Sequence, residues 1–307
     1  MVVDPGAKKL LELLKFPDFS EMSIEDLRTL MNQNPFIQKN EPIKAMRNLS
    51  FEHHGIKVAC RLYEPDSKFD GLIVYLHGGG FVFGNIESFE DICRKAANVS
   101  GCKVLAVEYR LAPEHKFPAA IDDAYESYIW ARNNCKLLGI DPDKIAIAGD
   151  SAGGNLTAAT CLRARDSNVP VPKLQVMFYP VLGPDLFSEA MREYGDGYFL
   201  TKKQMYWFNK MYLSSEQDLF NVYMSPILAE NLKNLPEAII ITAEHDPLRD
   251  QGEMYIARLY DVGVPVTGIR AKGMIHGFIN FAAVIPAAGS IASMIWFLIG
   301  QKLRATL

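Results

Sequence analysis

The sequence predicts an α/β fold, with a mostly parallel central sheet and helices on both faces. Two observations carry that expectation. Short apolar runs recur at Leu72–Leu76, Val104–Glu108, Ile145–Gly149, Leu174–Tyr179, Ala238–Ala243 and Val264–Ile269. Segments of helical character separate them, and strands that alternate with helices run parallel. In such sheets the chemistry sits beyond the carboxyl ends of the strands. Every chemically suggestive segment of this chain falls there.

In chain order, two leucine-rich amphipathic segments come first, Lys8–Phe16 and Ser23–Gln33. The second opens with Ser23 three residues before Asp26, a capping pattern. Pro35 and Pro42 mark a break. Leu49–Tyr63 then alternates like a β-hairpin turning near His54-Gly55. The α/β alternation starts at Leu72 and is interrupted once, from Pro184 to Tyr223. That stretch is rich in Tyr, Phe and Trp and lacks an obvious core strand. It reads as a helical insertion lying over the sheet with the N-terminal helices. The expected organisation is a helical segment over 1–48, core over 49–183, the insertion over 184–225 and core again over 226–307. No internal repeat or low-complexity region is visible.

Composition excludes several function classes. A chain of 307 residues with net charge -4 lacks the basic surplus of a nucleic-acid binder. Its five cysteines (Cys60, Cys93, Cys102, Cys135 and Cys161) are odd in number and form no Cys-x-x-Cys pair. That usage favours reduced cytosolic thiols over a disulfide framework or a zinc site. The start, Met1-Val2-Val3-Asp4-Pro5, has no basic region and no continuous apolar run. No signal peptide is predicted, and a cytoplasmic location is expected. The stretch Gly277–Gly300 carries no charge and is long enough to span a bilayer, but Asn280, Pro286 and Gly289 interrupt it. Ile291–Leu298 within it suits a helix buried against the sheet.

The candidate chemistry centres on Gly149-Asp150-Ser151-Ala152-Gly153, at the end of the run Ile145-Ala146-Ile147-Ala148. Strand, sharp turn and helix follow in succession, with glycines permitting a turn that a Cβ would block. The serine at the apex is then exposed and strained, a candidate nucleophile. By itself the pentapeptide arises by chance in roughly one chain in ten of this length. Its partners carry the argument. A serine hydroxyl needs a base to take its proton, and the base needs a third group to orient it. Of six histidines, only His276 is both late in the chain and in a glycine-flanked loop after a predicted strand. For the orienting acid, Glu244, Asp246 and Asp250 compete after the run Ala238–Ala243. Asp246 is favoured because it sits at the turn just beyond the strand, where Pro247 can open the next helix. Surface or capping contacts are expected of the other two. The fourth component is His77-Gly78-Gly79-Gly80, after Leu72–Leu76. Such a run arises by chance in only about a few chains per thousand. Its backbone N–H groups suit a developing oxyanion in acyl transfer.

These motifs resemble the hormone-sensitive-lipase-like branch of the α/β-hydrolase family, the bacterial and archaeal family IV esterases. The resemblance runs from about Leu49 onward. It includes Tyr109-Arg110-Leu111-Ala112-Pro113-Glu114, Phe117-Pro118-Ala119-Ala120, Gly149–Gly154 and Asp246-Pro247-Leu248-Arg249-Asp250. The chain order Ser151, Asp246, His276 is that of the fold. The likeness implies an α/β-hydrolase fold with a helical cap made by the N-terminal helices and the aromatic insertion. It implies hydrolysis of small short- to medium-chain esters through an acyl-enzyme on Ser151, with no metal or cofactor. Oxyanion donors would be the N–H groups of Gly79, Gly80 and Ala152, with His77 and Gly78 supporting that loop. Phe81 departs from the pattern, replacing a Trp common in the branch. A homodimer is also implied. The same residues serve an amidase or deacetylase. A ligand receptor on the same fold, like the plant gibberellin receptors, lacks the working histidine.

Overall fold

The apolar runs pair into one eight-stranded sheet in a computed structural model that describes residues 2–13, 19–33, 41–185 and 187–305. Its strands are β1 (Ala45–His53), β2 (Ile56–Glu64), β3 (Leu72–Leu76), β4 (Lys103–Val107), β5 (Ile145–Asp150), β6 (Leu174–Phe178), β7 (Glu237–His245) and β8 (Val266–Ile275). Their spatial order is β1-β2-β4-β3-β5-β6-β7-β8. The pairs β1/β2 and β2/β4 are antiparallel, and the rest are parallel. Register aligns the carboxyl ends: Leu76 lies beside Gly149, and Phe178 lies between Asp150 and Ile241. The β1/β2 hairpin turns at His54 (φ 48°) and Gly55 (φ 75°). Two left-handed central residues make the turn whose twist matches its strands.

Residue alternation along the strands builds a core on each face. Leu72, Val74 and Leu76 of β3 pack with Tyr128 and Leu156 on one side. Ile73 and Tyr75 pack with Ala96, Trp296 and Ile299 on the other. Each such side chain removed from water contributes about 1.5–3 kcal/mol. The uncharged stretch near the end of the chain forms helix Pro286–Arg304. It buries Ala288, Ala292, Ile295, Trp296, Ile299 and Leu303 at helical spacing against the sheet and helix Glu90–Ser100. Among the described residues no helix is long and apolar enough to cross a membrane.

The aromatic stretch after β6 forms helices Glu189–Tyr194 and Lys202–Tyr212 and a short 3-10 turn, Glu216–Phe220. The second helix opens with a full capping box between Thr201 and Gln204. Phe19 packs edge-on against Trp207 and Phe208, joining the N-terminal region to this insertion.

Three of the boundaries that differ from the sequence expectation have an identifiable local cause. The first helix spans Pro5–Leu13, because the Asp4 carboxylate accepts from the N–H groups of Gly6 and Ala7 at 2.8 and 3.3 Å. The expected end at Phe16, and Pro35, lie outside the described residues. The helix after β7 starts at Arg249 and not at Pro247, since Asp246 Oδ1 takes the Leu248 N–H at 2.8 Å. Strand β8 runs on to Ile275 because β7 offers it a pairing edge as far as His245.

Candidate active site

Strand β5 ends at Asp150, and Ser151 turns the chain into helix Ala152–Asp166 with φ 53° and ψ -113°. A non-glycine residue at positive φ is strained, and the surroundings must hold it there. Ser151 N–H donates to Phe178 O at 2.9 Å, which ties the turn to β6. Gly153 permits the tight approach: a Cβ there would sit 1.8 Å from Leu76 O.

His276 follows β8 directly, and Asp246 follows β7, where a register irregularity between Ala243 and His245 redirects the chain. The three side chains meet. His276 Nε2 lies 2.9 Å from Ser151 Oγ, and His276 Nδ1 lies 2.7 Å from Asp246 Oδ2. Asp246 is fully buried and His276 nearly so. A carboxylate only accepts, so Nδ1 carries a proton, and in the neutral imidazole Nε2 is then the acceptor that faces the hydroxyl. Tyr179 braces the ring edge-on at 4.9 Å between centroids.

The competing acids take other work. Glu244 is buried, and its Oε2 accepts from Gly273 N–H at 2.8 Å, so it ties β7 to β8 and is not a surface group. Asp250 accepts from Ala190 N–H at 2.8 Å and anchors the insertion.

Ser151 and His276 open on a cavity of about 540 Å³. Its floor includes Gly79 and Gly80, and its walls are largely apolar: Phe81, Phe83, Phe199, Met205 and Phe208, with Leu30 and Met31 from the N-terminal helices. Phe81 stacks flat on Tyr212 at 3.9 Å, so the smaller ring still builds a firm wall. Ala152 is buried at the first position of its helix, and Gly78 is buried beside Asp150. His77 does not line the cavity.

A model of the alpha/beta hydrolase fold matches residues 73–280. The chain belongs to the α/β-hydrolase family. It is 40% identical over 288 residues to an arylesterase of Saccharolobus solfataricus, covering 91% of this chain and 93% of that one. It is 35% identical over 293 residues to the carboxylesterase NlhH of Mycobacterium tuberculosis, covering 93% and 92%. A hyperthermophilic esterase from the archaeon Pyrobaculum calidifontis superposes with TM-score 0.92 at 40% identity, over 98% of this chain and 99% of that one. This α/β-hydrolase is a hormone-sensitive-lipase-like carboxylesterase, the branch its motifs resemble.

Two residues of this hydrolase go beyond the motif reading. Asp150, the middle letter before the serine, is buried and accepts from Tyr75 OH at 2.7 Å and Gly78 N–H at 2.9 Å. An acid sitting beside a candidate nucleophile was the available signal. Asn155, on the helix behind Ser151, donates to Val181 O and Met224 O at 2.9 and 2.8 Å and holds both ends of the insertion. Nothing in its neighbourhood in sequence pointed to it.

His77 lies between the rings of Tyr109 and Phe89, 4.3 and 5.3 Å away, and its Nδ1 is 2.7 Å from Gly78 O. Burial pushes its imidazole down to about 4 from the ordinary 6.5. The unfolded chain therefore takes up the proton first as pH falls. This group's contribution is full above about pH 6.5, falls away between 6.5 and 4 and is lost below 4, a difference of about 3 kcal/mol. Urea unfolding at pH 7 and pH 4.5 should show the hydrolase losing about 2–3 kcal/mol more than a His77→Gln variant does. Parallel losses in the two proteins would rule His77 out as the source.

Proposed function

We propose that Ser151, His276 and Asp246 hydrolyse small carboxylic esters through an acyl-enzyme. The observation that carries this reading is the hydrogen-bonded relay from Ser151 Oγ through the imidazole to Asp246, at 2.9 and 2.7 Å. Ser151 Oγ attacks the ester carbonyl as its proton passes to His276 Nε2. The carbonyl oxygen becomes an oxyanion, received by the N–H groups of Gly79, Gly80 and Ala152. As the intermediate collapses, the C–O bond to the alcohol breaks and His276 returns the proton to that oxygen. Water then attacks the acyl-serine with its proton taken by His276, releasing the acid and regenerating Ser151. No metal or organic cofactor enters this sequence.

Segments 1–48 and 184–225 act as a cap over the acyl pocket, a role supported by the Phe19 contacts and by the cavity walls they supply. A mostly apolar cavity of about 540 Å³ supports short to medium acyl chains. Five free thiols, four of them buried, support a reducing, cytoplasmic setting.

Two measurements test the reading together. A fluorophosphonate probe should label Ser151 and no other serine, as located by peptide mass spectrometry. A series of p-nitrophenyl esters from acetyl to dodecanoyl should show kcat/KM peaking at short to medium chains. An unlabelled Ser151 in active protein would place the nucleophile elsewhere. A rate still climbing at dodecanoyl would overturn the chain-length assignment.

A further inference from the structure

Asp150 belongs to none of the three roles in the relay, yet it is among the most enclosed charged groups of the chain. A carboxylate removed from water is costly unless its oxygens are bonded, so a buried acid implies a task. Its bonds reach the loop and strand that frame the nucleophile. Oδ1 accepts from Tyr75 OH at 2.7 Å, on β3, and from Gly78 N–H at 2.9 Å, at the start of the glycine loop. Oδ2 faces the Asn280 amide at 3.5 Å, four residues past His276. The fit is mutual. A Cβ at position 78 would come within 2.5 Å of Asp150 Oδ2, so the absent side chain of Gly78 is the space that the carboxylate fills. Burial pushes the Asp150 carboxyl above its ordinary range, and the bonds from Tyr75 and Gly78 oppose that rise. The last residue of strand β5 thus anchors the facing loop, and the next residue in the chain is the nucleophile.

We propose that Asp150 is a positioning residue that holds the Gly78–Gly80 loop where its N–H groups meet the developing oxyanion. The inference rests on the acyl-enzyme reading above. It separates two functions within one motif: Ser151 forms the bond, and Asp150 sets the donors that stabilise what the bond creates. Asp150 borders the cavity, but its carboxylate bonds run to Tyr75 and to the loop at Gly78, so it acts through that loop. Its removal therefore acts on the charged intermediate and leaves ground-state binding nearly alone.

The test compares Asp150→Ala, Asp150→Asn and Tyr75→Phe with the parent enzyme on p-nitrophenyl butyrate. Inhibition by two ketones of the same shape is measured alongside. A trifluoromethyl ketone forms a tetrahedral oxyanion on the serine, and the matching methyl ketone binds mainly as a ground-state carbonyl. For Asp150→Ala, kcat should fall about 100-fold with KM within about threefold, the size expected when an oxyanion donor is lost. Affinity for the trifluoromethyl ketone should weaken by a similar factor, and that for the methyl ketone by less than about threefold. Asp150→Asn keeps an oxygen for the Gly78 N–H and should recover to within about tenfold of the parent. Should Asp150→Ala not fold, Tyr75→Phe carries the test: loosening the anchor should lower kcat and trifluoromethyl-ketone affinity together by about three- to tenfold. Equal weakening of both ketones overturns the proposal. So does an Asp150→Asn variant as impaired as Asp150→Ala, or variants that match the parent. If the parent itself neither turns over the ester nor labels at Ser151, the acyl-enzyme reading has failed and not the role of Asp150.

Discussion

Replacing Ser151 with alanine should lower kcat on p-nitrophenyl butyrate by about 10⁴- to 10⁶-fold, the range seen when a triad nucleophile is removed. The reason is local. Ser151 Oγ is bonded to His276 Nε2 at 2.9 Å, so this is the hydroxyl from which the imidazole can take a proton. Stability should change little. The turn is held by backbone bonds, Ser151 N–H to Phe178 O and Asn155 N–H to Ser151 O, which alanine keeps. The left-handed φ of 53° is as strained for alanine as for serine, so the substitution relieves nothing. Thermal unfolding should therefore overlay that of the parent while turnover and fluorophosphonate labelling vanish. Retained turnover above about one per cent would mean that another residue performs the attack.

Asp246→Asn should have the second-largest effect, a fall in kcat of about 10³- to 10⁴-fold with folding preserved. Asp246 Oδ1 accepts the Leu248 N–H at 2.8 Å, and Oδ2 lies 2.7 Å from His276 Nδ1. An asparagine keeps its carbonyl oxygen on Leu248 and turns its NH₂ toward the ring. His276 must then offer Nδ1 as the acceptor, which moves the proton to Nε2, facing the serine. A protonated Nε2 cannot take a proton from Oγ. The nucleophile is still present, so slow labelling of Ser151 should persist. That separates this variant from Ser151→Ala, which labels not at all. If Asp246→Asn retains turnover within about tenfold of the parent, Asp246 does not set the tautomer.

Much of the architecture was legible because it is written in local pattern. The runs that became β3, β5 and β6 are short, apolar and bounded by turn residues, and their ends agree with the strands to within a residue. The hairpin turn at His54-Gly55 was readable because glycine marks a left-handed position. Boundaries set by side-chain bonds were harder. The Asp4 carboxylate pulled the first helix three residues toward the N-terminus, and the Leu248 N–H bond delayed the helix after β7. The length of β8 depended on a neighbour that its own residues do not reveal. Glu244 reads as a surface or capping acid in sequence, whereas in the fold it is buried and its carboxylate accepts the N–H of Gly273.

The elbow at Ser151, the glycine loop and the histidine after the last strand are local motifs, so the sequence by itself singled out the candidate reacting groups and their order. Their meeting was decided by the tertiary structure. Ser151 and His276 lie 125 residues apart, and only the order β5-β6-β7-β8 with aligned carboxyl ends brings them to 2.9 Å. The same holds for Asp150, whose motif position was plain while its partners on β3 and the glycine loop were not. A hydrogen bond is a distance in space, and sequence separation carries no record of it until the sheet assembles.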